Sequence, residues 1–283
     1  MKHLRTWLFA GLGALASQTG LCGDRLLATG GVMELEGSAG GGLTPWAFIA
    51  GLDTDKQVGV SGFCTRVKPD DYKLTSCGAA VGLFDRVELS AARQKFDLGG
   101  TDLSIRVRVL GIKVRAFGDA VFSDNAWLPQ IAVGAQFKHN EDYDLVSSLN
   151  LGTRSGNGAD FYVAATKVWL AGPLGRTWLV NATVRSTRGN QLGILGFGGD
   201  AGNRSLEAEG SVGAFLTDHL VLGAEYRQKP DHLSALREDD YKDVFLAWIP
   251  VKYFSVTVAY ADLGTIAGKA KQRGSYVSLQ GSW

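Results

Sequence analysis

The stretch Ser275-Tyr276-Val277-Ser278-Leu279-Gln280-Gly281-Ser282-Trp283 sets Val277, Leu279 and Trp283 on one face of an extended chain and Tyr276, Ser278 and Gln280 on the other. Side chains two apart share a face of a strand, so this pattern describes a sheet with one apolar and one polar side. The same period recurs upstream. Phe254, Val256, Val258 and Tyr260 alternate with Ser255, Thr257, Ala259 and Ala261. Leu220, Leu222, Ala224 and Tyr226 alternate with Val221, Gly223, Glu225 and Arg227. Trp178, Val180, Ala182 and Val184 alternate with Leu179, Asn181, Thr183 and Arg185. Helical periodicity is nearly absent. Candidate strands fall at 43–52, 57–67, 72–83, 86–95, 105–117, 129–138, 159–170, 176–186, 204–215, 219–228, 241–249, 251–261 and 272–283, with 32–37 as a further one. In 105–117 the apolar parity flips at Leu110-Gly111, which suggests a bulge or a strand break.

Composition narrows the classes. The chain has 283 residues, 29 Lys and Arg against 28 Asp and Glu, so no basic surface for nucleic acid is expected. Glycine is abundant, at 38 residues against 6 prolines, without a collagen period. Many glycines occur at strand positions, among them Gly62, Gly78, Gly82, Gly134, Gly213 and Gly223, where a curved sheet needs small residues. Residues 1–22 read as an export signal. Lys2, His3 and Arg5 precede a short apolar run from Trp7 to Ala16, and small residues offer cleavage after Ala16 or after Cys22. A lipid-modified Cys22 is the alternative, though Thr19-Gly20-Leu21 is a poor lipobox. Residues 23–283 then form a single domain.

A half-solvated soluble sandwich and a transmembrane barrel alternate alike. Three features favour the barrel. Reading back from Trp283, the connections alternate long and short, as outer-membrane barrels do, although 118–128 should be short and is not. The last strand ends on an aromatic residue, Trp283, which resembles the signal read by the barrel-assembly machinery, where Phe is usual. Trp46, Trp169, Trp178, Trp248, Tyr226, Tyr253 and Tyr260 fall near strand ends, as an interfacial aromatic girdle would place them. The expected fold is all-β: a closed antiparallel transmembrane β-barrel of 12 strands, with 14 as the alternative, in contact with outer-membrane lipid and lipopolysaccharide. Its polar face points into the lumen and is expected to carry Arg86, Glu88, Arg106, Arg108, Lys138, Arg185, Glu207, Glu209, Glu225 and Arg227. These charges either pair across strands and hold the interior shut or line a water-filled path.

Four stretches resemble an uncharacterised family of outer-membrane proteins, a domain of unknown function. They are Glu36-Gly37-Ser38-Ala39-Gly40-Gly41-Gly42-Leu43-Thr44-Pro45-Trp46, Asp85-Arg86-Val87-Glu88-Leu89-Ser90, Asn190-Gln191-Leu192-Gly193-Ile194-Leu195-Gly196-Phe197-Gly198-Gly199-Asp200 and Gly223-Ala224-Glu225-Tyr226-Arg227-Gln228-Lys229-Pro230. The Asn190–Asp200 stretch is the most specific. The resemblance implies an outer-membrane location and brings no activity, substrate or catalytic residue with it.

No metal-ligand spacing, nucleophile elbow or phosphate loop occurs, and no cofactor is expected. Gly196-Phe197-Gly198-Gly199-Asp200 reads as a flexible or inward-folding outer loop, with ligand contact as the minor alternative. His232 and Ser234 stand two apart, as the His and Ser of outer-membrane phospholipases do, but in a loop and without a nearby Asn to orient the imidazole; catalysis is not expected. The acidic group Asn140, Glu141, Asp142 and Asp144 reads as a solvated loop, with cation binding as the minor alternative. Cys64 and Cys77 are equidistant from the turn at Asp70-Asp71, so they face each other across a hairpin and are expected to form a disulfide, the alternative being two small buried thiols. Passive passage of a small solute through the lumen is the expected function. A non-conducting structural or surface-interaction barrel is the second reading, and a lipid hydrolase the third.

Overall fold

The computed structural model describes residues 32–122 and 127–283. The proposed signal and both of its cleavage points lie outside the described residues. Two short strands, β1 (Val32–Met33) and β2 (Ala39–Gly40), pair only with each other. Twelve further strands follow: β3 (Val58–Pro69), β4 (Tyr72–Leu83), β5 (Val87–Leu98), β6 (Ser104–Phe117), β7 (Gln130–Asn140) and β8 (Asn157–Trp169). They continue as β9 (Trp178–Thr187), β10 (Ser205–Thr217), β11 (Leu220–Arg227), β12 (Tyr241–Val251), β13 (Phe254–Asp262) and β14 (Arg273–Ser282). Each pairs antiparallel with its neighbour in sequence, and β14 closes on β3 with Val277 opposite Arg66 and Leu279 opposite Cys64. The result is a closed barrel of 12 strands.

One end of the barrel carries the tight turns 218–219 and 252–253 together with the start of β3. The other end carries the long connections 141–156, which contains α1 (Tyr143–Ser148), 188–204, 228–240 and 263–272. The connection 118–129 is long at the tight-turn end, as its sequence indicates.

Two expected strands are corrected. Residues 43–52 and 32–37 are not part of the wall; they belong to an inner segment, 32–53, which runs inside the barrel and is buried throughout from Met33 to Leu52. Pro45 has no amide hydrogen for a ladder, and the segment's short turns fold it on itself: Leu35 N donates to Gly42 O at 3.1 Å and Trp46 N to Ala39 O at 3.2 Å. Apolar content alone gave this stretch the look of a strand.

The parity flip in β6 is also not a bulge. Pairing with β5 runs unbroken from Val114 opposite Val87 to Ser104 opposite Asp97, and the irregularity lies later, against β7, between Arg115 and Phe117. Ile105, Val107, Val109 and Lys113 all point inward, while Arg106, Arg108, Leu110 and Ile112 point outward. The backbone alternation continues and the chemistry changes sides.

Wall glycines admit close neighbours. A Cβ at Gly82 would lie 2.1 Å from the carbonyl oxygen of Ala50 in the inner segment. At Gly134 and Gly223 it would strike the rings of Tyr162 and Phe245 on the adjacent strands, which lean into the space left.

Cys64 and Cys77 are directly opposite on β3 and β4 and are joined by a disulfide, with their Cα atoms 4.1 Å apart. The bond faces outward, so the reading as two buried thiols is set aside. Cys77→Ser should lower unfolding stability in detergent by about 2 to 3 kcal/mol, a typical loss for a short cross-linked loop. Peptide mapping without reduction should recover the two cysteines linked; two alkylated thiols would contradict the pairing.

Candidate functional site

An irregular chain inside a barrel brings amides and carbonyls that no ladder satisfies, and each buried unpaired group costs about 1 to 3 kcal/mol. Side chains from the inward face of the wall meet that need. Glu88 of β5 accepts from Ala39 N at 3.2 Å and Ala50 N at 2.8 Å, while Lys113 of β6 donates to Ala39 O at 2.8 Å and Trp46 O at 3.2 Å. Thr166 of β8 accepts from Ala47 N at 2.8 Å, and Gln130 of β7 donates to Ala47 O at 2.6 Å. Thr183 of β9 donates to Pro45 O at 2.9 Å. Glu225 of β11 accepts from Leu43 N at 2.8 Å and Thr44 Oγ1 at 2.7 Å, and Ser211 of β10 accepts from Trp46 Nε1 at 2.9 Å. Ser61 of β3 and Ser76 of β4 bond to Gly51 N and Leu35 O. Nine consecutive strands, β3 to β11, thus hold one segment.

At the centre is an ion cluster. Glu36 of the inner segment pairs with Lys138, with Arg227 at 2.8 Å and with Arg185 at 3.4 Å. Lys138 also reaches Asp160 at 2.5 Å, and Arg185 reaches Glu209 at 2.5 Å. Glu34 accepts from Ser38 Oγ at 2.8 Å and Gln136 Nε2 at 2.5 Å. The side chains of Glu36, Lys138 and Asp160 have no exposure to solvent. Every cation here touches at least two carboxylates, an arrangement that low-dielectric burial demands.

Toward the long-loop end the interior turns apolar. Asn190–Asp200 folds inward, with Gln191 and Leu192 at positive φ (48° and 65°), and Asn140 Nδ2 donates to Gly193 O at 3.0 Å and Ile194 O at 2.8 Å. Leu192, Ile194 and Ile266 from the loops meet Leu35, Val67 and Phe96 around a cavity of about 30 Å³. At its rim Lys229 lies 3.9 Å from Glu238, 4.4 Å from the Tyr241 ring, and 3.0 Å from Thr265 O.

The ten charges expected in the lumen divide. Glu88, Lys138, Arg185, Glu207, Glu209, Glu225 and Arg227 are buried on the inward face. Arg86, Arg106 and Arg108 are not in the lumen, and that expectation is corrected. Arg86 lies in the exposed turn between β4 and β5. Arg106 and Arg108 point outward near the long-loop end, where Arg106 grips Asp142 in a fork at 2.8 and 3.0 Å and Arg108 pairs with Glu141. Arg93 reaches the same Glu141 at 2.7 Å. Glu141 and Asp142 of the acidic group are thereby neutralised by arginines, while Asp144 is exposed. Lys113, Asp160 and Asp243 are inward charges absent from the expected set. For Lys113, the parity of β6 was the signal, had Ile105-x-Val107-x-Val109 been taken as the inward row. His232 Nε2 lies 3.1 Å from Ser205 Oγ, whereas Ser234 Oγ donates to Asp200, so the structure joins each to a different neighbour.

The outward face between the two ends is an apolar belt, with Leu110, Phe161, Val184, Leu206, Val244 and Val258 all exposed. Soluble proteins rarely show such a continuous apolar surface, whereas a barrel in lipid requires it. The class defined is a closed 12-strand antiparallel barrel with a lipid-type outer face and an inner segment filling its lumen. The chain belongs to the family described as "Protein of unknown function (DUF3034)", whose profile matches residues 29–280. No curated protein matches the chain. Among solved structures it is similar to the toluene transporter TodX of Pseudomonas putida, at 8% identity and a TM-score of 0.33, over 80% of this chain and 87% of that one. Similarity at that level carries neither ligand nor activity.

Glu36→Ala strands Lys138 and Arg227 without their shared carboxylate, and its unfolding in detergent should occur about 3 to 5 kcal/mol more easily, the usual loss on breaking a buried pair. Unchanged stability would mean that the cluster is hydrated.

The connection 228–240 at the long-loop end also titrates. Burial pushes Glu238 up to about 7 against the opposing pull of Lys229, and burial holds Lys229 down to about 8. The folded state therefore binds more protons at Glu238 than the unfolded chain between its ordinary value of 4.5 and about 7, so its contribution to stability falls as pH rises through that window. Hydrogen-exchange protection in 228–240, taken relative to the intrinsic exchange rate at each pH, should fall from about pH 5 to about pH 7.5, and the fall should shrink in Glu238→Gln.

Proposed function

We propose that this protein is an integral outer-membrane β-barrel whose lumen is a gated passage for a small polar solute, shut here by the inner segment. The carrying observation is that the contact between segment and wall is polar around nine strands. If the segment moves aside, the surface left behind carries Lys113, Lys138, Arg185, Arg227, Glu88, Glu209 and Glu225, which water and ions solvate readily. An apolar interface would leave a lumen that dewets. The apolar belt supports the membrane location, and the alternation of long and short connections supports the orientation with long loops outermost. His232 and Ser234 take no hydrolytic role in this reading, because each bonds to a different neighbour.

The filled lumen itself favours a second reading, a non-conducting structural barrel. Planar-bilayer recording separates the two. The whole protein should be closed for most of the time, and a variant lacking 32–53, shown to be folded by its heat-dependent gel mobility, should give stable conductance. A folded variant that stays silent would replace the channel with the structural barrel.

A further inference from the structure

The outward face changes character above the apolar belt, and it does so on one flank. Arg66 of β3 is opposite Thr75 of β4, Thr75 is opposite Lys95 of β5, and Lys95 is opposite Arg106 of β6. This row places three cations across four strands, a span of about 14 Å at ordinary strand spacing. Lys68 and Lys73 stand beside it, nearer the long-loop end. All five side chains face outward, away from the lumen.

Their neutralisation is incomplete. Asp97 serves both Lys73, at 2.6 Å, and Lys95, at 2.9 Å, so one carboxylate faces two ammonium groups. Arg106 is held by Asp142. Among the described residues no carboxylate pairs with Arg66 or Lys68, and both are exposed. One position below the row Cys64 and Cys77 are uncharged on β3 and β4, while Arg93 of β5 and Arg108 of β6 still carry charge and both pair with Glu141. One position further the wall is uncharged at Gly62, Ala79, Ala91 and Leu110, followed by Val60, Val81, Leu89 and Ile112. On the opposite flank the outward residues near the long-loop ends of β9 to β12 are Ser186, Leu206, Tyr226 and a single cation, Lys242, which stands opposite Asp262. The cations are therefore a localised crescent at the border between apolar belt and water, and not a uniform ring.

A molecule that matches this border has apolar chains below and more than one phosphate at the height of the crescent. We infer that the crescent on β3 to β6 is a docking surface for the phosphorylated disaccharide of an outer-leaflet glycolipid, that is, lipid A of lipopolysaccharide. The inference rests on the outer-membrane reading above. Arg66 and Lys68 supply the unpaired charge, and Arg is suited to a bidentate grip on phosphate. Lys73 and Lys95 exchange their shared Asp97 for a second anion at little cost, since a surface pair of this kind contributes little.

The test uses the full-length protein purified in detergent and titrated with bisphosphorylated lipid A, with the same lipid after dephosphorylation, and with inorganic phosphate as competitor. Wild type should bind the bisphosphorylated form in preference to the dephosphorylated one. Arg66→Gln, Lys68→Gln and Lys95→Gln combined should weaken that binding roughly a hundredfold at low salt, the product of three near-surface cations. The loss should shrink as salt rises. Lys242→Gln, on the opposite flank, should bind as wild type does. Gel mobility shows whether the triple variant is folded; if it is not, Arg66→Gln alone, with a loss of several-fold, decides. Equal binding of the two lipids, undiminished binding by folded variants, or displacement by inorganic phosphate would each overturn the inference. Failure of the membrane reading is seen separately: a protein washed from vesicles by alkaline carbonate is not integral, whereas one that stays and ignores lipid A refutes the docking surface alone.

Discussion

The barrel is organised by the need of the inner segment, 32–53, to have its backbone hydrogen bonds made inside a closed wall. A wall strand spends its own amides on its two neighbours, so nothing of the wall's backbone remains for a chain in the lumen. Apart from the segment's own turns and a bond from Leu52 N to Trp283 O at 3.3 Å beyond the end of β14, side chains serve, and they come from nine consecutive strands, β3 to β11, because the segment is short and turns on itself. That explains why the inward rows carry serine, threonine, asparagine, glutamine, lysine and glutamate at the middle of the barrel, with Glu88 and Lys113 each satisfying two backbone groups. It also explains why the wall needs glycine where the segment comes closest, as at Gly82 against Ala50.

The charges follow from the same requirement. Glu36 brings a negative charge into a place closed to bulk solvent, and Lys138, Arg185 and Arg227 surround it. Replacing such a cluster with apolar residues would often be neutral or stabilising, so its presence is not explained by stability. What it provides is an interface that can be exchanged for water. A segment held by leucines would leave an apolar tube behind it; a segment held by ion pairs leaves a wettable one. Polarity of the lumen is thus compatible with closure in one state and passage in another.

Much of the wall was legible in the sequence because period-two alternation depends only on backbone geometry. Twelve of the candidate strands match β3 to β14 within a few residues, and the symmetry of Cys64 and Cys77 about Asp70-Asp71 fixed their pairing. The inner segment was not legible as such. Leu43-Thr44-Pro45-Trp46-Ala47-Phe48-Ile49-Ala50 has the apolar content of a strand, and content does not reveal whether burial comes from one side or from all. The resemblance had marked Glu36–Trp46 and Asn190–Asp200, and these are the inner segment and the loop that folds down upon it. Neither stretch alternates, so strand periodicity gave no account of them.

The misplacement of Arg106 and Arg108 shows why a single rule for polarity fails along a transmembrane strand. Equating polar with inward holds only where lipid lies outside and the polar contacts of the inner segment lie inside. Near the long-loop end both surroundings change. The outside is water, and the inside is the apolar packing of Leu192, Ile194 and Ile266 on the wall. Arg106 and Arg108 therefore face out while Val107 and Val109 face in, on a strand whose pairing with β5 never shifts. The inversion at Leu110-Gly111 is thus a depth marker, readable from sequence once the backbone is taken to continue straight. Applied to β3, the marker falls between Cys64 and Arg66, and on β5 between Ala91 and Arg93. Three strands so place the border of the belt at adjoining positions along the wall, and the cations that begin there owe their outward direction to that border and not to the lumen.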